Sequence, residues 1–193
     1  MEKQTAIPTN FFPPMPVMLV GTAASGKANF MTAAWVVRLE FNPPLLMLSI
    51  GNESLSAENI IQNKTFSVCQ PDVSMKDPTD YCGITSGKKV DKSTLFETFS
   101  GALENAPLIA ACPVNLECRL VHTYEFPGTY LFIGEIVGAF GRNDVLDKGK
   151  PVIEKTNPLV LSMPDNRYWS MNTVVGRAWK DGISLKKQSK KGG

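Results

Sequence analysis

The sequence predicts one mainly β domain, closed or nearly closed, with a few short helices. Three observations carry that reading. The fourteen prolines and fifteen glycines break the apolar residues into short runs, a pattern that favours strands over long helices. One segment alternates apolar and polar with a period of two. No internal repeat or linker separates two cores, and 193 residues fit one domain. Many short strands joined by turns leave a barrel or a sandwich as the architectures.

Taken in order, PVMLVGTA (16–23) reads as a buried strand that ends in small residues. SGKANF (25–30) reads as a turn, MTAAWVV continues as a strand, and PPLLMLSI (43–50) follows a proline corner. SAENIIQNKTF reads as a helix with Ser56 as N-cap and Glu58 in its first turn. STLFETFSGALENAP reads as a second short helical turn. In CPVNLECRLVHTYEF, Val114, Leu116, Cys118 and Leu120 share one face, and Asn115, Glu117 and Arg119 the other. That is the signature of a half-buried strand. YLFIGEIVGAFG is apolar on both faces, with Gly134 and Gly138 marking a bulge or bend.

Composition excludes several function classes. A 43% hydrophobic, 20% charged chain with net charge +2 is ordinary for a soluble globular protein. Basic residues are not clustered with aromatics, so nucleic acid is not an expected partner; the lysine-rich end (183–193) reads as a solvated, flexible tail. No apolar run reaches the roughly 18 residues of a membrane span. Prolines at 8, 13, 14 and 16 interrupt the N-terminus, which does not read as a signal peptide. A cytoplasmic protein is expected. Cys69, Cys82, Cys112 and Cys118 lack metal-ligand spacing, and His122 is the only histidine; packed free thiols and no metal are expected.

Two segments could hold an anion. At the helix mouth, Ser54 and Ser56 add hydroxyls to N–H groups that lack partners, although on local sequence alone plain capping is the favoured reading and Glu53 and Glu58 lie close. DYCGITSGKKVDK (80–92) gathers Ser86, Gly87, Lys88, Lys89 and Lys92, which suit a phosphate or form a solvated turn. Neither a P-loop nor a dinucleotide fingerprint is present. No nucleophile–base set or carboxylate pair stands out, so no catalytic side chain is assigned. Any chemistry then belongs to a cofactor.

Six pieces in order carry a family resemblance. They are Pro16-Val-x-Leu19-Val-Gly21, Gly26-Lys27-x-Asn29-x-x-Thr32-Ala-Ala-Trp35, and Asn42-Pro-Pro44 with Ser49-Ile50. Tyr81-Cys-Gly83-x-x-Ser86-Gly-Lys88-x-Val90-Asp-Lys92, Leu131-Phe-Ile-Gly-Glu-Ile-Val137 and Val175-Gly-Arg-Ala-Trp179 complete the set. Over roughly residues 12–182 the chain resembles the flavin reductase-like, FMN-binding split-barrel family, in its flavoredoxin-like branch; residues 1–11 read as an extension.

The resemblance implies a split, Greek-key β-barrel homodimer that binds FMN without a covalent bond. Asn29 and the strand Met31, Thr32, Ala33, Ala34 and Trp35 would lie along the ring and ribityl chain. Ser49, Ile50, Gly51 and Asn52 would offer backbone groups to the ring's polar edge. Ser54, Ser56 and the helix mouth would hold the phosphate, with Lys92 supplying charge and Ser86 and Lys88 nearby. The implied activity passes electrons from NAD(P)H through FMN to a flavin, ferric or protein acceptor. The alternative is a flavoredoxin-like carrier exchanging electrons with redox proteins. One departure favours the carrier. Where many relatives have a histidine before the Phe-x-Gly-Glu strand, this chain has Thr129 and Tyr130; either could hydrogen-bond the flavin or a nicotinamide, but a hydroxyl answers developing charge differently from an imidazole.

Overall fold

A computed structural model describes residues 5–171 and 173–183. Its centre is a seven-stranded antiparallel sheet built from β2 (Met18–Ala24), β3 (Lys27–Ala33), β4 (Val36–Glu40), β5 (Leu45–Gly51), β6 (Thr65–Gln70), β9 (Val114–Phe126) and β10 (Thr129–Gly141). The strand order is β3-β2-β6-β9-β10-β5-β4. The two edge strands, β3 and β4, follow each other in sequence with only Ala34 and Trp35 between them. A flat sheet could not bring its opposite edges within two residues, so the sheet curls into a barrel split at that seam. The expected barrel is therefore present, and the sandwich is not.

Beside it, β1 (Phe12–Pro16), β13 (Leu159–Met163) and β14 (Arg167–Ser170) form a three-stranded sheet. Two-residue strand pairs complete the elements, β7 (Thr98–Phe99) with β8 (Leu108–Ile109) and β11 (Leu146–Asp147) with β12 (Lys150–Pro151). Three helices, α1 (Leu55–Asn63), α2 (Lys76–Ile84) and α3 (Ile153–Thr156), lie outside the sheets.

The main sheet is buried on both sides. Val20, Leu48, Ile60, Phe66 and Phe132 fill the barrel interior, while Leu19, Phe30, Cys69, Met75 and Ile109 pack on its other face. Consecutive residues Leu19 and Val20 both reach zero exposure, as a doubly covered strand requires. All four cysteines are buried and unbridged.

Several expectations need correction. The α1 N-cap is Ser54, whose Oγ accepts from the N–H of Ala57 at 3.1 Å; Ser56 sits inside the first turn. The segment 93–107 holds turns and the short strand β7 rather than a helix. A helix does form at 76–84, where a lysine-rich turn was expected to begin. SGKANF turns only at Ser25 and Gly26, after which β3 starts, and the strand through MTAAWVV breaks at Ala34–Trp35.

The polar face of β9 is solvated at Arg119 but not at Asn115 and Glu117. Asn115 and Glu117 are buried because the segment 101–112 lies over them. Glu117 accepts from the N–H groups of Ala102 and Leu103 at 3.1 and 3.0 Å, and Asn115 exchanges hydrogen bonds with both backbone groups of Ile109. The ladder between β9 and β10 does shift register at Gly134 and Gly138. A Cβ at Gly134 would stand 2.6 Å from the Phe66 ring, so close packing requires glycine there. The lysine-rich tail beyond Ile183 lies outside the described residues.

Candidate functional site

The site runs along β3, with a polar end at the α1 mouth and an apolar end at the barrel seam. Ser54 ends the extended approach to α1 and caps it, its Oγ taking the N–H of Ala57 and leaving those of Leu55 and Ser56 without an intrahelical partner. Ser56, one residue into the helix, is buried and accepts from Asn29 Nδ2 at 3.0 Å. Asn29 comes from β3, is only 6% exposed, and has no partner for its Oδ1 among the described residues.

Lys92 closes this end from the opposite side. Its ammonium donates to the carbonyls of Thr85 and Cys82 at 2.9 and 3.4 Å, both at the C-terminus of α2. Helix C-termini attract cations for this reason. Lys92 is 4% exposed, and no carboxylate pairs with it among the described residues. Burial holds its ammonium below the ordinary lysine value, opposed only by the nearby Cys82 thiol. A buried cation without a counter-ion, facing a helix N-terminus, is chemically prepared for an anion.

The acidic neighbours do not spoil this arrangement. Glu58 is ion-paired to Lys88, and Glu53 is exposed. Asn29, Ser54, Ser56, Cys82, Ser86 and Lys92 line one cavity of about 280 Å3. A second cavity of about 300 Å3 adjoins it, and Lys88 lines that one instead.

At Met31 the polar cavity meets a third, of about 230 Å3. Thr32, Ala33, Ala34, Trp35, Ser49, Ile50 and Gly51 line it together with Met31. Trp35 is 53% exposed, so its indole is not a core residue. The expectation of free backbone donors along 49–52 narrows. The N–H of Ser49 is bonded to Trp35 and that of Asn52 to Gly128, and Ile50 pairs with Tyr130 in the β5–β10 ladder, leaving Gly51 for any ligand. Thr129 stands opposite Gly51 in the β5–β10 ladder, outside the cavity lining.

Sequence reasoning missed Leu161 and Met163 from β13, which wall the apolar cavity. The alternating LVLSM run was their only signal. Gly87, read from the sequence only as part of a flexible loop, has a more specific place: its backbone passes so close to Asn29 that a Cβ would meet Oδ1 at 2.2 Å. His122 lies away from this site, beside Tyr124 on β9, and no cluster of three potential metal ligands occurs among the described residues. No helix there is long and apolar enough to cross a membrane.

Comparison with known proteins places this architecture. The model of the family described as "Flavin reductase like domain" matches residues 13–165. A flavoredoxin from Methanosarcina acetivorans shares 48% identity over 95% of this chain and 100% of its own, with a TM-score of 0.93. The flavoredoxin of Desulfovibrio vulgaris (Miyazaki F) shares 27% over 94% and 100%, with a TM-score of 0.85. A protein of Archaeoglobus fulgidus without an assigned function is 36% identical over 132 residues, 66% of this chain and 72% of its own.

Proposed function

The chain belongs to the family of flavin reductase-like domains, and from that premise we propose that it binds FMN and works as a flavoredoxin-like electron-transfer protein. One observation carries the FMN reading: the buried, carboxylate-free Lys92 facing the α1 mouth across a polar cavity. A cofactor ending in a phosphate dianion satisfies both, whereas riboflavin would leave the cation buried and unpaired.

The orphaned Oδ1 of Asn29 supports the same reading, because a buried acceptor with no partner asks for a ligand hydroxyl. The residues divide the work. Lys92, Ser54, Ser56 and the first N–H groups of α1 hold the phosphate. Asn29 accepts from the ribityl chain. Met31 to Trp35 orient the ring and shield it from water, and the N–H of Gly51 answers charge on its polar edge. FMN itself supplies the redox chemistry by taking up and releasing electrons. No side-chain acid or base is required, in keeping with a site that holds no histidine.

The similarity to flavoredoxins over nearly the whole chain favours a carrier. The family's own description carries a second reading, an NAD(P)H-dependent reductase with a flavin, ferric or protein acceptor. Anaerobic titration of the FMN-loaded protein separates them. The carrier bleaches with dithionite and hardly at all with NADH or NADPH. Rapid bleaching by either nucleotide would make it a reductase.

A further inference from the structure

Residues 85–92, which follow α2, form a strap across the phosphate end of the site. Each of them lines the polar cavity or the one adjoining it. The opposite wall comes from β3 at Ala28 and Asn29 and from α1 at Leu55 and Asn59. By its backbone the strap is bonded to itself and to its own helix. The N–H groups of Lys89 and Val90 donate to the carbonyl of Ser86, and that of Thr85 to Tyr81. Lys92, at the far end, is held by the carbonyls of Cys82 and Thr85. The buried cation is thus carried by the strap and not by the wall it faces.

Across the cavity mouth the attachments are of another kind. Among the described residues no backbone hydrogen bond joins 85–92 to β3 or α1. The backbone of Gly87 passes close to Asn29 and Leu55, and the polar links to the opposite wall are two ion pairs. Lys27 of β3 donates to Asp91 at 3.0 Å, and Lys88 donates to Glu58 of α1. Their four side chains are 42–72% exposed. Exposed pairs of this kind are weak and screened by salt, so they keep a segment in place without locking it.

We propose that the strap 85–92 is a gate for the phosphate-bearing cofactor, held shut by Lys27–Asp91 and Lys88–Glu58 and opened by moving away from β3 and α1 together with Lys92. The need for an opening follows from burial. Lys92 is 4% exposed, and a dianion must shed water to reach an ammonium so enclosed. With the strap open, Lys92 is solvated and collects the phosphate; closing carries the two to the α1 mouth. The ion pairs are made in the closed state whether the cavity is empty or filled. They therefore set how fast the ligand enters and leaves, and not how tightly it is held. The identity of the gated ligand rests on the FMN reading above; the opening of the strap does not.

The test is a full-length variant that removes both pairs with no change in net charge: Lys27→Gln with Asp91→Asn, and Lys88→Gln with Glu58→Gln. Asp91→Asn keeps an acceptor for the N–H of Ser93, and Lys92 is untouched. Stopped-flow mixing with FMN gives both rate constants. At about 0.02 M salt, FMN enters and leaves the variant faster than the parent, each by about 3- to 10-fold, with Kd unchanged. At about 1 M salt, where the screening length falls to about 3 Å, the two proteins converge. Equal rates at low salt overturn the gate. So does faster release alone with weaker binding, which would make the pairs part of the binding site. If the parent binds no FMN, the proposed function fails, and amide exchange of 85–92 in the flavin-free protein decides the gate. Exchange quickened in the variant at low salt upholds it; equal exchange overturns it.

Discussion

The amide of Asn29 on β3 donates to the hydroxyl of Ser56 in the first turn of α1 at 3.0 Å, between groups that are both more than nine-tenths buried. This bond sets the helix mouth against the strand and aims the free Oδ1 of Asn29 past Gly87. Gly87→Ala would thrust a methyl group into that oxygen. The expected result is a protein that folds but binds FMN at least about tenfold more weakly, as displacing one buried hydrogen-bonded group predicts. Flavin fluorescence quenching measures it; unchanged affinity would remove Asn29 from the site.

The depressed pKa of Lys92 gives a pH dependence with a defined sign. Burial is the main cause, and the ordinary value is 10.5. A bound dianion favours the ammonium, so FMN affinity falls as pH rises through the pKa of the flavin-free protein towards 10.5. Riboflavin affinity stays level. Stability of the flavin-free protein runs the other way. Between the folded pKa and 10.5 the unfolded chain binds more protons, so stability rises with pH in that window. Lys92→Met removes both trends, which titrations and urea melts across that window would record.

Much of this site was legible in the sequence, for reasons that differ by residue. Ser54, Ser56, Asn29 and Lys92 were found because helix caps and lysine–glycine loops have local signatures, and the ordered family motifs joined them. The strand core at Val20, Leu48 and Phe132 followed from apolar runs. The N-cap was misplaced by two residues because both candidates are serines. The helix α2 was hidden by Pro78 and Gly83, which weaken any helical pattern. The burial of Glu117 could not be read at all, since the loop covering it is joined to it only by tertiary contact. Alternation shows two faces; it does not show which of them a distant segment will cover.

Glu117 gives a stability prediction on that point. It takes two backbone N–H groups of the covering loop. Glu117→Ala leaves both without their acceptor and should cost roughly 2–5 kcal/mol, with Glu117→Gln losing about half as much. Urea unfolding measures both, and amide exchange of Ala102 and Leu103 should quicken first.

Gly134→Ala tests the packing of the long hairpin. Its methyl group would press on Phe66 from 2.6 Å, and overpacking of this kind costs roughly 1–3 kcal/mol. The midpoint of thermal unfolding should fall accordingly. A variant as stable as the parent would mean that β10 can move away from β6 freely.

The homodimer that the family resemblance implies has a direct check by light scattering. About twice 21.1 kDa is expected, with or without flavin, because the apolar surfaces at Phe12, Trp35 and Trp179 are exposed in the single chain. A flavin-loaded monomer would contradict it.

The central claim is that a buried lysine and a helix mouth select a phosphorylated flavin. Parallel titrations of the protein and its Lys92→Met variant with FMN and with riboflavin test it most directly. FMN binding is expected to fall by roughly 10- to 100-fold in the variant, the range of a hydrogen bond to a charged group, while riboflavin binding changes little. Equal losses for the two ligands, or none for either, would contradict it.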